Sequence, residues 1–182
     1  RSLGVGTSES LLVKYNSDHD KILINPISFG STAVNLTKNE FELTSHDFRT
    51  GEKVFYNSSS FISGLGTGSY FVHRVDDNKF NLSLTRKDSL TEPPLIINLG
   101  SQGSSHEISK INPTIPVIKN NNLVFNMGDA SLSGYDMKIF YDNTFNNELV
   151  SIGATTGFSV VSSASTVTVY YNDCLLYTSP SP

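Results

Sequence analysis

The sequence predicts an all-β protein: a small β-barrel or curled-sheet module followed by an antiparallel β-sandwich-like module. Charged residues make up only 16% of the chain, while Ser, Thr, Asn and Gly, which disfavour helix interiors, are abundant. No window of a dozen residues carries a helical period, whereas apolar side chains recur at every second position in many short segments. Turn-forming residues separate these segments, which indicates many short strands.

The first part of the chain, residues 1–39, predicts three strands. Residues 11–15 and 21–24 flank a polar turn, and residues 31–36 predict the third strand. Because the sequence begins with Arg1 rather than Met, we expect these strands to belong to an upstream module that is truncated here.

A first compact module is predicted over residues 40–109. The strands on either side of the Asp76-Asp77-Asn78 turn are expected to pair as a hairpin, because Asp and Asn tolerate the left-handed backbone of tight turns. A polar loop is predicted over residues 100–105. The predicted strands of this module are residues 40–44, 53–56, 69–75, 79–84 and 95–99.

A second module is predicted over residues 111–173. Short strands separated by Gly, Asn, Asp and Ser turns favour an antiparallel β-sandwich. The predicted strands are residues 115–118, 122–126, 136–141, 148–151, 157–161 and 166–171.

The composition argues against two classes of partner. The net charge of -4 and the pI near 5.5 supply no basic surface for phosphates, so we expect no nucleic-acid partner. No segment approaches the roughly 20 consecutive apolar residues that span a bilayer, so we expect no membrane insertion.

The C-terminal segment, residues 174–182, differs in character from the rest of the chain. One back-translation of it matches the adapter used in transposase-based sequencing libraries. We therefore expect this tail to be adapter-derived and the natural protein to continue beyond Asp173. A natural Ser/Pro-rich linker is the alternative. Cys174 is the only cysteine, so neither a disulfide nor thiol chemistry is predicted.

The order of several motifs resembles that of large structural proteins of marine T4-like bacteriophages, including those that infect cyanobacteria. The first stretch has a His-x-Phe-x-Thr-Gly opening, an aromatic-ended strand, a Gly-Leu loop and an aromatic-rich hairpin. Its residues are His46, Phe48, Thr50-Gly51, Lys53-Val54, Ile62-Ser63-Gly64-Leu65, Tyr70-Phe71-Val72, Val75-Asp76-Asp77-Asn78 and Phe80-Asn81-Leu82. Those of the second stretch are Ile111-Asn112-Pro113, Asn121-Asn122-Leu123-Val124-Phe125, Ser131-Leu132-Ser133-Gly134-Tyr135, Phe140-Tyr141-Asp142 and Phe145-Asn146-Asn147-Glu148.

This resemblance covers residues 10–172 and implies a repeated β module with a structural role in the virion. It leaves open whether that role is in the tail, baseplate, neck or fibre. It implies other virion structural proteins as partners, a homo-oligomer in the particle, and a surface that can contact the host. The implied location is the virion, after assembly in the host cytoplasm.

Four histidines invite an active-site interpretation, but they lie in different predicted elements and form no local metal-ligand pair. We predict that His46 is a turn residue whose ring bonds the local backbone, because Asp47 and Thr50-Gly51 are turn-formers. His73 is predicted to be a packing or surface residue of a strand. The four are His19, His46, His73 and His106.

The sequence predicts no metal or cofactor site. A copper site needs two histidines and a cysteine thiolate, whereas no histidine follows His106. The Asp76-Asp77-Asn78 turn, or Asp18 with Asp20, offers oxygens to calcium, but neither run has the glycine and distal glutamate of an EF-hand. The glycine-rich loop 64–68 lacks the Lys-Ser/Thr and the helix of a phosphate loop, so we predict a flexible loop.

No catalytic residue is predicted. There is no Gly-x-Ser-x-Gly elbow, and Asp47 beside His46 makes no dyad, because chain neighbours usually point apart. A polysaccharide hydrolase would need two acidic residues facing each other at ~5–10 Å. The candidate acidic residues are Asp76, Asp77 and Glu92, and their spacing in the sequence does not indicate that any two of them face each other.

We therefore predict a non-enzymatic structural component of a tailed-phage virion that acts as a β-module scaffold or spacer. The alternative is a host-surface glycan- or protein-binding module of a phage fibre or a bacterial adhesin. That alternative needs exposed aromatic side chains, whereas the two-residue spacing of those near the hairpin favours the core. These aromatic residues are Tyr56, Tyr70, Phe71 and Phe80.

Overall fold

The computed structural model describes residues 8–111, 113, 115, 121–140, 144, 146, 148, 158–163 and 165–171. Within these residues the chain forms eleven strands and one short helix, α1 (Arg86–Leu90), so the predicted all-β class is confirmed. The strands are β1 (Ser8–Asn16), β2 (Lys21–Phe29), β3 (Val34–Asn35), β4 (Glu40–Glu42), β5 (Lys53–Ser60), β6 (Gly68–Arg74), β7 (Lys79–Ser83), β8 (Ser104–Ile111), β9 (Asn122–Asn126), β10 (Phe158–Ser162) and β11 (Thr166–Tyr171).

The chain divides into two compact units. The first is Asn16–Pro113, and the second combines Arg1–Tyr15 with Thr114–Pro182. In the first unit the strands pair in the order β2-β8-β5-β6-β7-β4-β3, and the pairs are antiparallel. Two strands that precede residue 40 therefore pair inside this unit, β2 with β8 and β3 with β4.

The predicted hairpin is confirmed as the pair β6–β7, in which Val72 faces Leu82. The Val75 N–H donates to the Lys79 carbonyl at 2.9 Å and closes the turn. Inside the turn, the Asp76 carboxylate accepts from the Asn78 N–H at 2.7 Å. The Asp76 side chain thus stabilises the turn. None of the three turn residues has a positive φ, so the left-handed backbone expected there is wrong.

The core of the first unit lies on one face of this sheet. Cross-strand neighbours on this face are both buried, as in the pairs Val72 with Leu82 and Phe41 with Phe80. Burying one such side chain stabilises the folded state by about 1.5–3 kcal/mol. The buried members of the core are Val34, Phe41, Leu43, Phe48, Val54, Tyr56, Ile62, Leu65, Tyr70, Val72, Phe80, Leu82, Leu99 and Ile108.

Two elements of the first unit were not predicted. Helix α1 has only five residues, too few to show a helical period, and it begins where the Thr85 hydroxyl accepts from the Asp88 N–H at 3.1 Å. Strand β8 begins at Ser104, inside the loop predicted over residues 100–105. It is the strand that joins β2 to β5, so its pairing depends on distant parts of the chain.

Two predicted strands are wrong in detail. Residues 31–33 form a 3-10 turn, closed by the Ala33 N–H to the Gly30 carbonyl at 3.2 Å, and only the short β3 follows. Residues 95–99 form no strand, although the Ile97 N–H donates to the Leu82 carbonyl at 2.8 Å. The contact does not extend into a ladder, because the Leu95 N–H donates to the Asp88 carbonyl at 3.0 Å and the Leu99 N–H donates to the Asn39 side-chain oxygen at 2.8 Å.

The second unit contains a sheet with the order β10-β11-β9-β1. The strands predicted at 122–126, 157–161 and 166–171 are confirmed as β9, β10 and β11, and they pair antiparallel. By contrast, β1 joins β9 in parallel, which the antiparallel prediction did not anticipate. Apolar residues of the sheet are buried at alternate positions, as expected for period-two strands. They are Leu11, Val13, Leu123, Phe125, Val167 and Val169.

The remaining predictions for the second unit have mixed outcomes. Residues 136–139 have no regular structure, so a strand over 136–141 is wrong for them, and Phe140 makes one isolated bridge to Glu148. The predicted strands 115–118 and 148–151 fall almost wholly outside the described residues, as does the tail 174–182.

Candidate functional site

The buried histidine His106 is the centre of the most extensive polar cluster around any histidine in the described residues. It lies on β8 with 2% of its surface exposed. Its Nε2 is 2.9 Å from the Gln102 carbonyl oxygen, which can only accept, so Nε2 carries the proton. Nδ1 of the neutral ring is therefore the acceptor, and it lies 2.8 Å from the Tyr56 hydroxyl and 2.9 Å from Ser58 Oγ.

A serine hydroxyl beside a histidine nitrogen has the form of a nucleophile and its base. This pair was not predicted from the sequence, because Ser58 and His106 are 48 positions apart and meet only through the pairing of β5 with β8. Nδ1 has one lone pair, however, and Tyr56 is a competing donor. Ser58 Oγ has other acceptors within reach, the carbonyls of Ser60 at 2.9 Å and Ser104 at 3.0 Å. The arrangement therefore directs the Tyr56 proton to Nδ1 and leaves Ser58 bonded to the backbone.

Burial sets the protonation of both partners. Burial lowers the pKa of His106, because the charged imidazolium form loses its hydration. It raises the pKa of Tyr56, because the charged phenolate form loses its hydration. At neutral pH the pair is thus a neutral imidazole accepting from a neutral phenol. Such a pair holds β5 to β8 and offers no lone pair to a substrate.

Removing the Tyr56 hydroxyl is expected to cost more than removing that of Ser58. Tyr56→Phe should lower the free energy of unfolding by about 1–2 kcal/mol, because buried Nδ1 loses its donor. Ser58→Ala should cost about 0.5–1 kcal/mol, since Tyr56 still donates to His106. Urea denaturation at neutral pH measures both. The opposite ranking would mean that Ser58 is the donor to Nδ1.

His46 is the second buried histidine, with 2% of its surface exposed. The Phe48 N–H donates to its Nδ1 at 3.0 Å, and its Nε2 lies 3.1 Å from the Asp76 carbonyl oxygen. Both ring nitrogens thus bond the backbone, so the predicted role as a turn residue is confirmed. The ring also packs edge-on against Phe80, with centroids 4.9 Å apart.

The loop around His46 makes further hydrogen bonds to the hairpin turn and to β8. The Leu43 N–H donates to the Asn78 carbonyl at 2.8 Å, and the Ser45 N–H donates to the Asn78 side-chain oxygen at 2.9 Å. Lys110 Nζ donates to the Asp47 carbonyl at 2.7 Å. These bonds hold backbone at positive φ at Ser45 (53°) and Asp47 (54°), a conformation that needs local support.

Acidic pH is expected to destabilise the protein through these two rings. Burial lowers the pKa of His46 and of His106 from the ordinary value of 6.5. Below pH 6.5 the unfolded chain then binds more protons than the folded chain. The free energy of unfolding therefore has its full value above pH 6.5 and decreases as the pH falls through 6.5. Urea denaturation at about pH 7.5 and about pH 5.5 measures the loss.

Matched variants separate this effect from other titrations. His19→Gln should keep the full loss of stability, because that side chain is exposed. His106→Gln, which cannot titrate, should show a smaller loss than the parent chain. Equal or greater stability of the parent chain at acidic pH would contradict buried, neutral histidines.

The other two histidines are not brought into a site. His73 Nδ1 lies 3.0 Å from the Ser89 carbonyl oxygen and ties β6 to α1. His19 stands with its ring edge-on to Phe55, with centroids 5.2 Å apart. His73 is therefore a packing residue, as predicted.

The carboxylates of the Asp76-Asp77-Asn78 turn, weighed as calcium ligands, have partners in the chain. Asp76 accepts from the Asn78 N–H, and Asp77 pairs with Arg74. At the other candidate site Asp20 has a positive φ of 50°, in a turn where the His19 N–H donates to the Asn16 side chain at 3.0 Å. Both runs are polar turns. Glu92 lies exposed after α1.

The loop over residues 64–68 is held by its surroundings. A Cβ added to Gly64, which has a φ of 99°, would stand 2.2 Å from the Asn98 carbonyl oxygen. The Tyr70 hydroxyl accepts from the Gly66 N–H at 3.0 Å and donates to the Gly66 carbonyl at 2.9 Å. The glycine at 64 thus serves a close backbone contact, and the N–H of Gly66 already has an acceptor.

The aromatic residues that were candidates for a sugar-binding platform lie mainly in the core. Tyr56 and Phe80 are fully buried and Tyr70 is 8% exposed, while Phe71 is half-buried. The core interpretation is confirmed for the first three, so they offer no stacking surface to a glycan.

Comparisons with known proteins identify no family: no protein-family model, curated protein or solved structure matches this chain. Among the described residues, no helix has the length and apolar character needed to cross a membrane. In the same part of the chain, no three His, Cys, Asp or Glu side chains gather to hold a metal ion. Function is therefore inferred from the hydrogen bonds above and from the resemblance of the motifs.

Proposed function

We propose that this chain is a non-enzymatic structural component of a tailed-phage virion, in the tail, baseplate, neck or fibre, where it acts as a β-module scaffold or spacer. The resemblance of the ordered motifs over residues 10–172 to structural proteins of marine T4-like phages supports the assignment to a virion. The use of polar side chains in the first unit supports a structural rather than a chemical role.

The observation that carries the non-enzymatic role is the state of the two buried histidines. A general base needs a nitrogen within reach of a substrate proton. The Nε2–H of His46 donates to the Asp76 carbonyl, and its Nδ1 accepts from the Phe48 N–H. His106 likewise donates to a carbonyl and accepts from Tyr56. These rings stabilise loops and strand pairs, which is the work expected in a scaffold.

The strand pairing suits a part that transmits force. Strand β5 pairs with β8 between Val54 and Ser60 on one side, and with β6 between Lys53 and Tyr56 on the other. Displacing β5 along its axis would require many backbone hydrogen bonds to break together. The side chains of Tyr56 and His106 add a bond across one of these pairs.

The proposed partners are other virion structural proteins and further copies of this chain, assembled in the host cytoplasm, with contact to the host surface as an additional role for an exposed face. The net charge of -4 supports protein partners rather than nucleic acid.

Proteomics of purified particles tests this proposal. Virus particles that carry the coding sequence are banded by density, and the band is digested with trypsin. The expected result is the peptide of residues 54–74, which trypsin releases by cleavage after Lys53 and after Arg74. Its level should be comparable to that of peptides from known tail proteins. Host ribosomal proteins in the same band are the control for carry-over. Recovery of the peptide only from soluble or host-envelope fractions would overturn the proposal.

A further inference from the structure

A buried carboxylate of the first unit is left uncompensated by the described residues. Glu40 lies on β4 with 6% of its surface exposed, and its Oε1 atom is buried and has no hydrogen bond among those residues. The ion pairs of the same part of the chain involve other carboxylates. An ionised carboxylate is costly to bury unless positive charge or hydrogen-bond donors compensate it, so Glu40 marks a site for a positively charged ligand.

The neighbours of Glu40 on its face of the sheet supply oxygen atoms. In the pairing of β4 with β7 the next pair along the strands faces the core, so Glu40 and Asn81 lie side by side on the opposite face. Asn81 is also 6% exposed. Its Nδ2 donates to the Asn39 carbonyl at 2.8 Å and to the Lys38 carbonyl at 3.3 Å. These bonds fix the amide group and leave its oxygen to face a ligand.

A second buried oxygen on this face has no hydrogen-bond partner among the described residues. Ser83 follows Asn81 by two positions on β7, so its side chain points to the same side of the sheet. Ser83 is fully buried, and its Oγ is the atom concerned. It is the diagonal neighbour of Glu40, a separation of roughly 7–8 Å that a long side chain can bridge. A proton on Glu40 would compensate the carboxylate alone, whereas a cation can be bound by all three oxygens.

We propose that Glu40, Asn81 and Ser83 form a cation site that takes calcium. Glu40 is the charged ligand, and Asn81 Oδ1 and Ser83 Oγ are neutral ligands. Calcium accepts mixed oxygen ligands in irregular geometry, with backbone carbonyls and water completing its shell, whereas magnesium demands a near-ideal octahedron. A single charged ligand indicates weak binding, with a dissociation constant on the order of 0.1–1 mM.

This site differs in kind from the metal sites that the sequence was searched for. It has one carboxylate and neutral oxygens rather than a group of His, Cys, Asp or Glu side chains, and it therefore departs from the prediction of no metal site. Its ligands come together through the pairing of β4 with β7. The inference does not depend on the virion proposal.

Thermal melts of the full chain with and without calcium test the site. After treatment with EDTA, about 10 mM calcium should raise the melting temperature by roughly 5 °C or more, because only the folded chain holds the ion. The same concentration of magnesium should give a smaller shift. Glu40→Gln keeps the shape of the side chain and removes its charge, so it should lose the calcium shift. In EDTA it should melt no lower than the parent chain, since it no longer buries an uncompensated charge.

Glu42→Gln is the matched control, because Glu42 lies on the same strand with an exposed side chain. It should keep the calcium shift of the parent chain. A parent chain that calcium does not stabilise would overturn the proposal. So would a shift that Glu40→Gln retains, which would assign binding to exposed carboxylates, or an equal shift with magnesium. A Glu40→Gln variant that melts well below the parent chain in EDTA would show that the charge has a partner in the chain, and would also overturn it.

NMR of the unaltered chain supplies a test that needs no variant. The signal of the Asn81 side-chain amide should move as calcium is added and should reach a plateau. The side-chain amide of Asn57, on β5, should not change. An Asn81 signal that calcium leaves in place would overturn the proposal.

Discussion

Replacing Gly103 with alanine is expected to lower the free energy of unfolding by roughly 3–5 kcal/mol. Gly103 has a φ of 56°, which is strained for alanine, and an added Cβ would stand 2.2 Å from the Ser60 carbonyl oxygen. Both obstacles are backbone, so no side-chain rotation relieves them. The residue before it supplies the carbonyl that accepts from His106, so relaxation would also disturb that ring.

Urea denaturation of Gly103→Ala against the parent chain measures this cost. Gly66→Ala is the matched control, because its added Cβ meets no atom within 4 Å. Its stability should change by no more than about 1 kcal/mol. A Gly103→Ala variant as stable as the control would contradict the close approach of the chain at Ser60.

Replacing Phe80 with alanine is expected to cost about 3–5 kcal/mol. Phe80 is fully buried and lies at the centre of an aromatic group in the first unit. Its ring centroid is 5.2 Å from those of Phe41 and Phe48, and 4.9 Å from that of His46. Truncation leaves a cavity beside the His46 ring, whose two nitrogens are held by hydrogen bonds to the backbone, so this ring cannot move in to fill it.

Phe61→Ala is the matched control for this variant. The same atoms are removed, but Phe61 is 51% exposed, so the loss should stay within about 1 kcal/mol. Thermal and urea unfolding of the two variants give the comparison. Equal losses at the two positions would show that Phe80 is not the centre of a packed core.

Local sequence patterns predicted the parts of the fold that depend on neighbours in the chain. The hairpin β6–β7 needed only alternating apolar residues and an Asp-Asp-Asn turn. The role of His46 was local in part, because Phe48 and the turn-formers follow it at once, whereas its Nε2 bonds the Asp76 carbonyl 30 positions away. Helix α1 was missed because five residues show no period, and Thr85, its cap, also fits a turn.

Features that depend on long-range pairing could not be predicted in this way. The parallel pairing of β1 with β9 joins residues more than a hundred positions apart. The Tyr56–His106 bond joins residues 50 positions apart and exists because β5 lies beside β8. Strand β8 (Ser104–Ile111) was not predicted. The loop predicted over residues 100–105 covered only its first two residues, and His106, the partner of Tyr56 and Ser58, was assigned to no element. The period of apolar residues and the spacing of motifs along the chain do not indicate which strands lie side by side in a sheet.

The central claim is that the buried histidine rings are used to hold the fold, and NMR of their ring nitrogens tests it most directly. At about pH 6, near the ordinary pKa of histidine, His46 and His106 should each show one neutral tautomer with the proton on Nε2. A coupling across the hydrogen bond should link the Phe48 amide nitrogen to His46 Nδ1. Rings that exchange between tautomers and gain a proton near the ordinary histidine pKa would contradict it, and would restore these residues as candidates for acid–base chemistry.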